Sequence, residues 1–219
     1  MSTTPRIDSP VTRRRILLLS SCVYATLTLA GFGWAAFRGR PWLFAHPRPW
    51  LALAGPWDVL ASLAAGVALA ALTLVATRLL VARSRFGREL HLAFRELLGG
   101  LDGVAIAALA LASGVGEEVF FRGALQPSLG LLATSLLFGL LHIGPDRRFW
   151  AWTPWALVMG LLLGVMYEAT GSLLGCVVAH VAINYENLQF IRSHDPRAPS
   201  SSSSDPTAGP RLVSRAERR

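Results

Sequence analysis

Long apolar runs alternate along this chain with short polar segments that carry arginine. Residues 16–37 form an uncharged apolar run, long enough as a helix to cross about 30 Å of hydrocarbon. A secretory signal peptide has an apolar core of only about 7–15 residues, so this run predicts a retained helix. Residues 38–58 hold Arg and Pro and predict a loop. A second apolar run covers 59–82, with Arg78 near its end, where a long side chain can snorkel. Then the period changes. Phe86, Leu90, Ala93, Phe94 and Leu97 recur three and four apart, with Arg88, Glu89, Arg95 and Glu96 between them. That is an amphipathic helix over 83–99, suited to the membrane interface. Apolar runs resume at 103–116, 129–143, 154–167 and 172–185. Residues 144–153 form a turn rich in Trp and Arg, and a turn near Thr170-Gly171-Ser172 separates the last two runs. From Ser193 the chain is polar, with serine at every position from Ser200 to Ser204, and predicts a disordered tail.

The pattern predicts an all-α, polytopic membrane bundle of about six transmembrane helices plus one interfacial helix. Its parts are a basic N-terminus (1–15), two helices within 16–82, a core over 83–192 and a basic tail over 193–219. Composition agrees. Of 219 residues, 53% are hydrophobic and 16% charged, against about 25% charged in a soluble domain. An ordinary cytosolic globule, a coiled coil and a disordered chain are excluded. All 21 basic residues are Arg, and the net charge is +8. On a soluble protein that charge would suggest nucleic acid. Here it reads as topology, and no nucleic-acid partner is expected: sixteen arginines fall in segments on the side of the N-terminus and four on the other. The bias puts both termini in the cytoplasm. The Arg-only, Ala-rich composition points to a bacterium, hence to its inner membrane. Cys22 and Cys176 lie inside apolar runs and read as small buried residues, not a disulfide framework.

A charge at the bilayer centre costs about 2.5–3.5 kcal/mol on insertion scales, so ionisable residues there are functional by default. Glu117, Glu118, His142, His180 and Asn184 sit inside or at the end of apolar runs. At about 1.5 Å per residue, Glu117, His142 and His180 fall within several ångström of mid-membrane. Glu118 and Arg122 are four apart, as are His180 and Asn184, so each pair shares a helix face. One guanidinium cannot compensate two adjacent carboxylates. One glutamate is then held by Arg122 and the other is poised to accept a proton. Glu117 and His142 can hold and deprotonate a water, and His180 and Asn184 can donate to an oxyanion. Glu117, His142 and His180 are also a zinc donor set, although H-E-x-x-H is absent. A polar network gluing helices together and a proton-relay or transport site would use the same residues, and all three readings stay open at this point. His46, His91 and His194 read as solvated, and Glu168 and Glu186 as interfacial. The tryptophans read as interface anchors.

Three motifs stand on three apolar segments in order. Glu117-Glu118-Val-Phe-Phe-Arg122 fits EExxxR, Phe138-Gly-Leu-Leu-His142 fits FxxxH, and His180-Val-Ala-Ile-Asn184 fits HxxxN. With Phe121-Arg122-Gly123, Tyr167 and Thr170-Gly171-Ser172-Leu173 around them, they resemble the CPBP family of type II CAAX prenyl endopeptidases and bacteriocin-processing and self-immunity proteins. The resemblance covers roughly residues 85–190; residues 1–82 carry no family motif. It implies an intramembrane endopeptidase in which Glu117 and His142 activate water, His180 and Asn184 form the oxyanion hole, and Glu118 and Arg122 support them. Such proteins have been described both as metalloproteases and as glutamic proteases. We favour the metal-free form, with zinc on Glu117, His142 and His180 as the alternative. The expected partners are the lipid bilayer and a membrane-anchored protein or peptide substrate. Eukaryotic members act on prenylated CAAX tails, which nothing in this sequence indicates. Bacterial relatives trim peptides, cleave anchoring tails or confer immunity. A non-enzymatic immunity or complex partner and a small transporter are the competing functions.

Overall fold

The computed structural model describes residues 10–197 apart from Pro41; the basic segment 1–9 and the tail from residue 198 lie outside the described residues. The chain folds into helices: α1 (Pro10–Phe37), α2 (Trp57–Arg83), α3 (Arg85–Leu98), α4 (Gly103–Glu117), α5 (Gln126–Leu129), α6 (Leu131–Leu141), α7 (Trp152–Thr170) and α8 (Leu174–Ser193). A π-helical stretch, Glu118–Leu125, joins α4 to α5 without a break, and a 3-10 turn, Arg147–Phe149, precedes α7. Among the described residues no strand forms; a lone antiparallel bridge joins Ala45 to Ser172. The all-α bundle predicted from the pattern is therefore the fold.

Local chemistry sets the boundaries. The Ser84 hydroxyl donates to Leu80 O at the end of α2 and accepts from Gly87 N at the start of α3, so one residue turns the chain between them. Asp102 caps α4 through Ala105 N. Gly130 and Gly171, both at φ +83°, break the chain after α5 and α7, where a side chain would be strained.

Among the described residues, four helical segments are long and apolar enough to cross a membrane: Arg14–Phe37, Trp57–Arg83, Gly103–Leu129 and Arg147–Thr170. Leu19, Leu29, Leu72, Val104 and Leu132 are each about 70% exposed or more, an apolar exterior that fits lipid rather than water. The chain is an integral membrane protein. The other two runs counted as spans are also helices, but differ. α6 has 11 residues, roughly 16 Å, and α8 carries His180, Asn184, Glu186 and Asn187 along its length. The run at 103–116 does not stop at the glutamates, as the sequence suggests. It continues through them to Leu129, because Glu118 and Arg122 neutralise one another inside the helix.

The helices approach closely at small residues, as in membrane bundles generally. A Cβ on Gly175 would lie 2.0 Å from Ser62 O of α2, and one on Gly114 would lie 2.5 Å from Val181 Cγ2 of α8. The two ends of the bundle are closed differently. At one, the loop before α2 is bonded to the α7–α8 turn through His46 N to Gly171 O, Trp50 N to Glu168 O and Leu51 N to Ala169 O, with Leu43 buried beneath it. At the other, amphipathic α3 lies across the end of α8. Arg95 Nη1 donates to Ile191 O and Arg192 O, each at 2.6 Å, and His91 Nε2 meets His194 O at 2.9 Å. These contacts satisfy carbonyls that a helix C-terminus leaves open. His91 is therefore buried, at 5% exposure, and not solvated as its sequence context suggests.

Candidate active site

Glu117 ends α4 and Glu118 begins the π-helical stretch. Adjacent carboxylates point to different neighbours, and the chain assigns them different partners. Glu118 Oε1 accepts from Arg122 Nη1 at 2.8 Å and from His180 Nδ1 at 2.6 Å. Arg122 also donates to Gly160 O of α7 at 3.3 Å, and its guanidinium stacks 4.4 Å from the Phe138 ring centroid. The side chains of Glu118 and Arg122 are 0% and 1% exposed. Glu118 is thus the held carboxylate.

Glu117 is left facing the imidazoles. Its buried Oε2 has no hydrogen-bond partner and lies 3.6 Å from His142 Nε2 and 3.8 Å from His180 Nε2. These distances exceed a hydrogen bond, and catalytic contacts are often that long before substrate binds. His142 caps the C-terminus of α6. Its Nδ1 is 2.6 Å from Phe138 O, and since a carbonyl only accepts, Nδ1 carries the proton and Nε2 presents a lone pair when the ring is neutral. The ring packs between Phe138 and Trp152. Thr153 donates to His142 O at 3.0 Å, so the site stands level with the start of α7.

The six residues named from sequence come from α4, the π-helical stretch, the end of α6 and α8, and the structure gathers them. Asn184 departs in one respect. It shares the cavity with His180, but its amide donates to Ser113 Oγ at 2.9 Å. Sequence reasoning missed four members of the site: Ser113, Gln126, Tyr24 and Trp152. Ser113 stands four residues before Glu117 and Gln126 four after Arg122, so helical spacing carried a signal for both. Gln126 donates to Gly164 O and Glu168 Oε1 and extends the Glu118–Arg122 row onto α7. Tyr24 comes from α1, where its backbone oxygen would lie 2.9 Å from a Cβ on Gly116, and its side chain lies against Glu117. No motif marks it.

Zinc tests differently. Two His and one Glu are suitable donors, and each imidazole has its Nδ1 bonded elsewhere, as metal-binding histidines do. Yet among the described residues no three His, Cys, Asp or Glu side chains stand at metal-holding geometry. The donor types fit and the spacing does not, so no step is derived through a metal.

The site opens on a cavity of about 420 Å³ lined by residues of α1, α2, α3, α4, α6, α7 and α8.

Residues 100–185 match the family model described as type II CAAX prenyl endopeptidase Rce1-like. A curated relative, the uncharacterized protein YpbD of Bacillus subtilis (strain 168), is 40% identical over 81 residues. The match takes in 36% of this chain and 41% of that protein, so the chain spans well under half the length of the curated relative it matches. No solved structure matches the chain. The span matched by that family model contains Glu117, Glu118, Arg122, His142, His180 and Asn184, the residues of the three motifs.

Proposed function

We propose that the protein is an intramembrane endopeptidase that hydrolyses a peptide bond of a membrane-associated protein or peptide with water activated by Glu117 and His142. The observation that carries this reading is the Glu117 carboxyl. It is buried, unpartnered at Oε2 and faced by two imidazole Nε2 atoms, whereas its neighbour Glu118 turns away from the cavity, its Oε1 taken by Arg122 and His180.

A water between Glu117 and His142 donates one hydrogen to the carboxylate and one to the His142 lone pair. Glu117 takes the proton as the oxygen attacks the peptide carbonyl. His180 serves the oxyanion. With both ring nitrogens protonated, the buried cluster holds two carboxylates against Arg122 and His180 and is neutral. Nδ1–H is committed to Glu118 and Nε2–H is free to donate. The second Asn184 amide hydrogen joins it, the first being held by Ser113. Collapse of the tetrahedral intermediate breaks the C–N bond, and Glu117 returns its proton to the leaving amine. The residues supply general-base catalysis and a preorganised donor pair in surroundings with little competing water. The family description of residues 100–185 supports the same activity class. We place the protein in a bacterial inner membrane, with both termini cytoplasmic, on the arginine bias.

The test is cleavage of a membrane-anchored reporter by the full chain in liposomes. Glu117→Gln and His142→Ala each abolish cleavage while the protein still melts cooperatively. Full activity in both variants removes the reading and leaves a binding or immunity role. Solute flux dependent on Glu117 or Glu118 would instead favour a transporter.

A further inference from the structure

One face of α1 reaches the cavity. Ile16, Ser20 and Tyr24 stand four apart and all line it, whereas among the described residues of α1 only Gly31 and Ala35 are buried. Two glycines fix where this helix sits. A Cβ on Gly116 of α4 would lie 2.9 Å from Tyr24 O and 3.2 Å from Tyr24 Cβ. One on Gly31 would lie 3.2 Å from Phe120 Cα and 3.3 Å from Val119 O of the π-helical stretch. Backbones this close leave α1 little room to slide, and the first contact falls at the residue before Glu117. The half-buried Tyr24 side chain therefore lies against the Glu117 carboxyl. Neighbouring hydroxyls of α1 are spent elsewhere: Thr26 and Thr28 donate to Cys22 O and Tyr24 O of their own helix, each at 2.8 Å. The imidazoles approach Glu117 from the end of α6 and from α8, and it is Oε2 that they face.

We propose that Tyr24 is a positioning residue for the general base: its hydroxyl donates to one oxygen of the Glu117 carboxylate and so holds the other, Oε2, toward His142 and the water between them. The inference rests on the hydrolytic reading above and deepens it. A phenol carries one O–H donor and an ionised carboxylate only accepts, so the tyrosine supplies the hydrogen. Bonds to a charged acceptor are short and about twice as strong as neutral ones. This one acts at the end of a long side chain whose Oε2 has no partner of its own. Without the bond the carboxylate is free to turn about its last torsion, and a misplacement of about 1 Å at a reacting group costs on the order of a hundredfold in rate. Tyr24 gives up no proton in this role and acts only through Glu117. Because it belongs to α1, the aim of the base depends on a helix outside the matched span 100–185.

The experiment compares the full chain with its Tyr24→Phe variant in liposomes, since phenylalanine keeps the ring and removes only the oxygen. Cleavage of the membrane-anchored reporter is read as kcat and KM, and folding as cooperative melting. Tyr24→Phe is expected to lower kcat about tenfold to a hundredfold with KM unchanged. A second readout needs no turnover. The infrared difference between chains with Glu117 and with Glu117→Gln isolates the Glu117 carboxylate bands. Taken with and without Tyr24→Phe, it should show those bands shifted when the hydroxyl is gone, which a packing role for the ring would not produce. Equal kcat in Tyr24→Phe and the parent, or carboxylate bands that stay in place, overturns the proposal. So does a loss confined to KM, which assigns the hydroxyl to substrate contact. Bands that shift in a chain that cuts nothing leave the Tyr24–Glu117 bond standing and remove the peptidase.

Discussion

Arg122→Met separates what the buried pair does for stability from what it does for chemistry. The substitution removes the 2.8 Å bond to Glu118, the bond to Gly160 O and the stack on Phe138. Both side chains are at most 1% exposed, so screening by solvent is slight and the deleted charge has no substitute. Glu118 would keep one donor, His180 Nδ1. Breaking a buried pair from one side costs about 3–5 kcal/mol. For a chain of this size each kcal/mol lowers the melting midpoint by roughly 2–4 °C, so the expected drop is about 6–20 °C. Adding Glu118→Leu removes the stranded charge. The double variant then carries mainly the unsatisfied His180 nitrogen, about 1–3 kcal/mol, and melts above the single variant. Cleavage stays lost in both, because His180 has no acceptor to hold its ring. The assay is thermal unfolding of the full chain in detergent, followed by reporter cleavage. A single variant melting within a degree of the parent, or a double variant melting below the single, refutes the reasoning.

Three further outcomes follow from the same geometry. Asn184→Ala lowers turnover by about 10²–10³, the cost of one oxyanion donor, and Ser113→Ala lowers it less; equal turnover in Asn184→Ala and the parent would remove Asn184 from the site. Cleavage survives exhaustive treatment with a zinc chelator, whereas activity lost and then restored by zinc alone would establish a metal on Glu117, His142 and His180. Burial lowers the His91 imidazole below its ordinary value near 6.5, aided by the charges of His194, Arg95 and Arg78 and opposed by the His194 carbonyl. The neutral ring is the one that fits, so its contribution is full above about pH 6.5 and is lost as pH falls through that value. Amide exchange in α3 should accelerate on acidification, and His91→Phe should remove the dependence.

Spacing along single helices was legible in the chain. Glu118 with Arg122, and His180 with Asn184, were paired by four-residue intervals, and α3 by its period. What crosses between helices was not. The Glu118–His180 bond joins residues 62 positions apart, and Tyr24 arrives from a run with nothing to distinguish it. Ser113 was hidden by its company, a small polar residue in an Ala-rich run that reads as helix filler. His91 shares the apolar face of Leu90 and Phe94, but an isolated histidine in an arginine-rich segment reads as solvated. Its partner is a helix end on α8. The continuation of the helix past the apolar run at 103–116 was not legible either, because the burial of the Glu118–Arg122 pair against α7 is not written in the run itself.

The π-helical winding of Glu118–Leu125 has a consequence for tolerance to length change. A π segment closes i→i+5 bonds and so holds more residues per turn than an α-helix. A length change beyond the extra residue that the π winding absorbs would rotate everything downstream by about 100° per residue. Glu117 would keep its place, but Gln126 would swing off Gly164 and Glu168, and α6 would enter from the wrong azimuth, taking His142 with it. Val119, Phe120 and Ala124 carry no chemistry, yet their number sets the phase between the two halves of the catalytic pair. The stretch should therefore accept changes of side chain far more readily than changes of length.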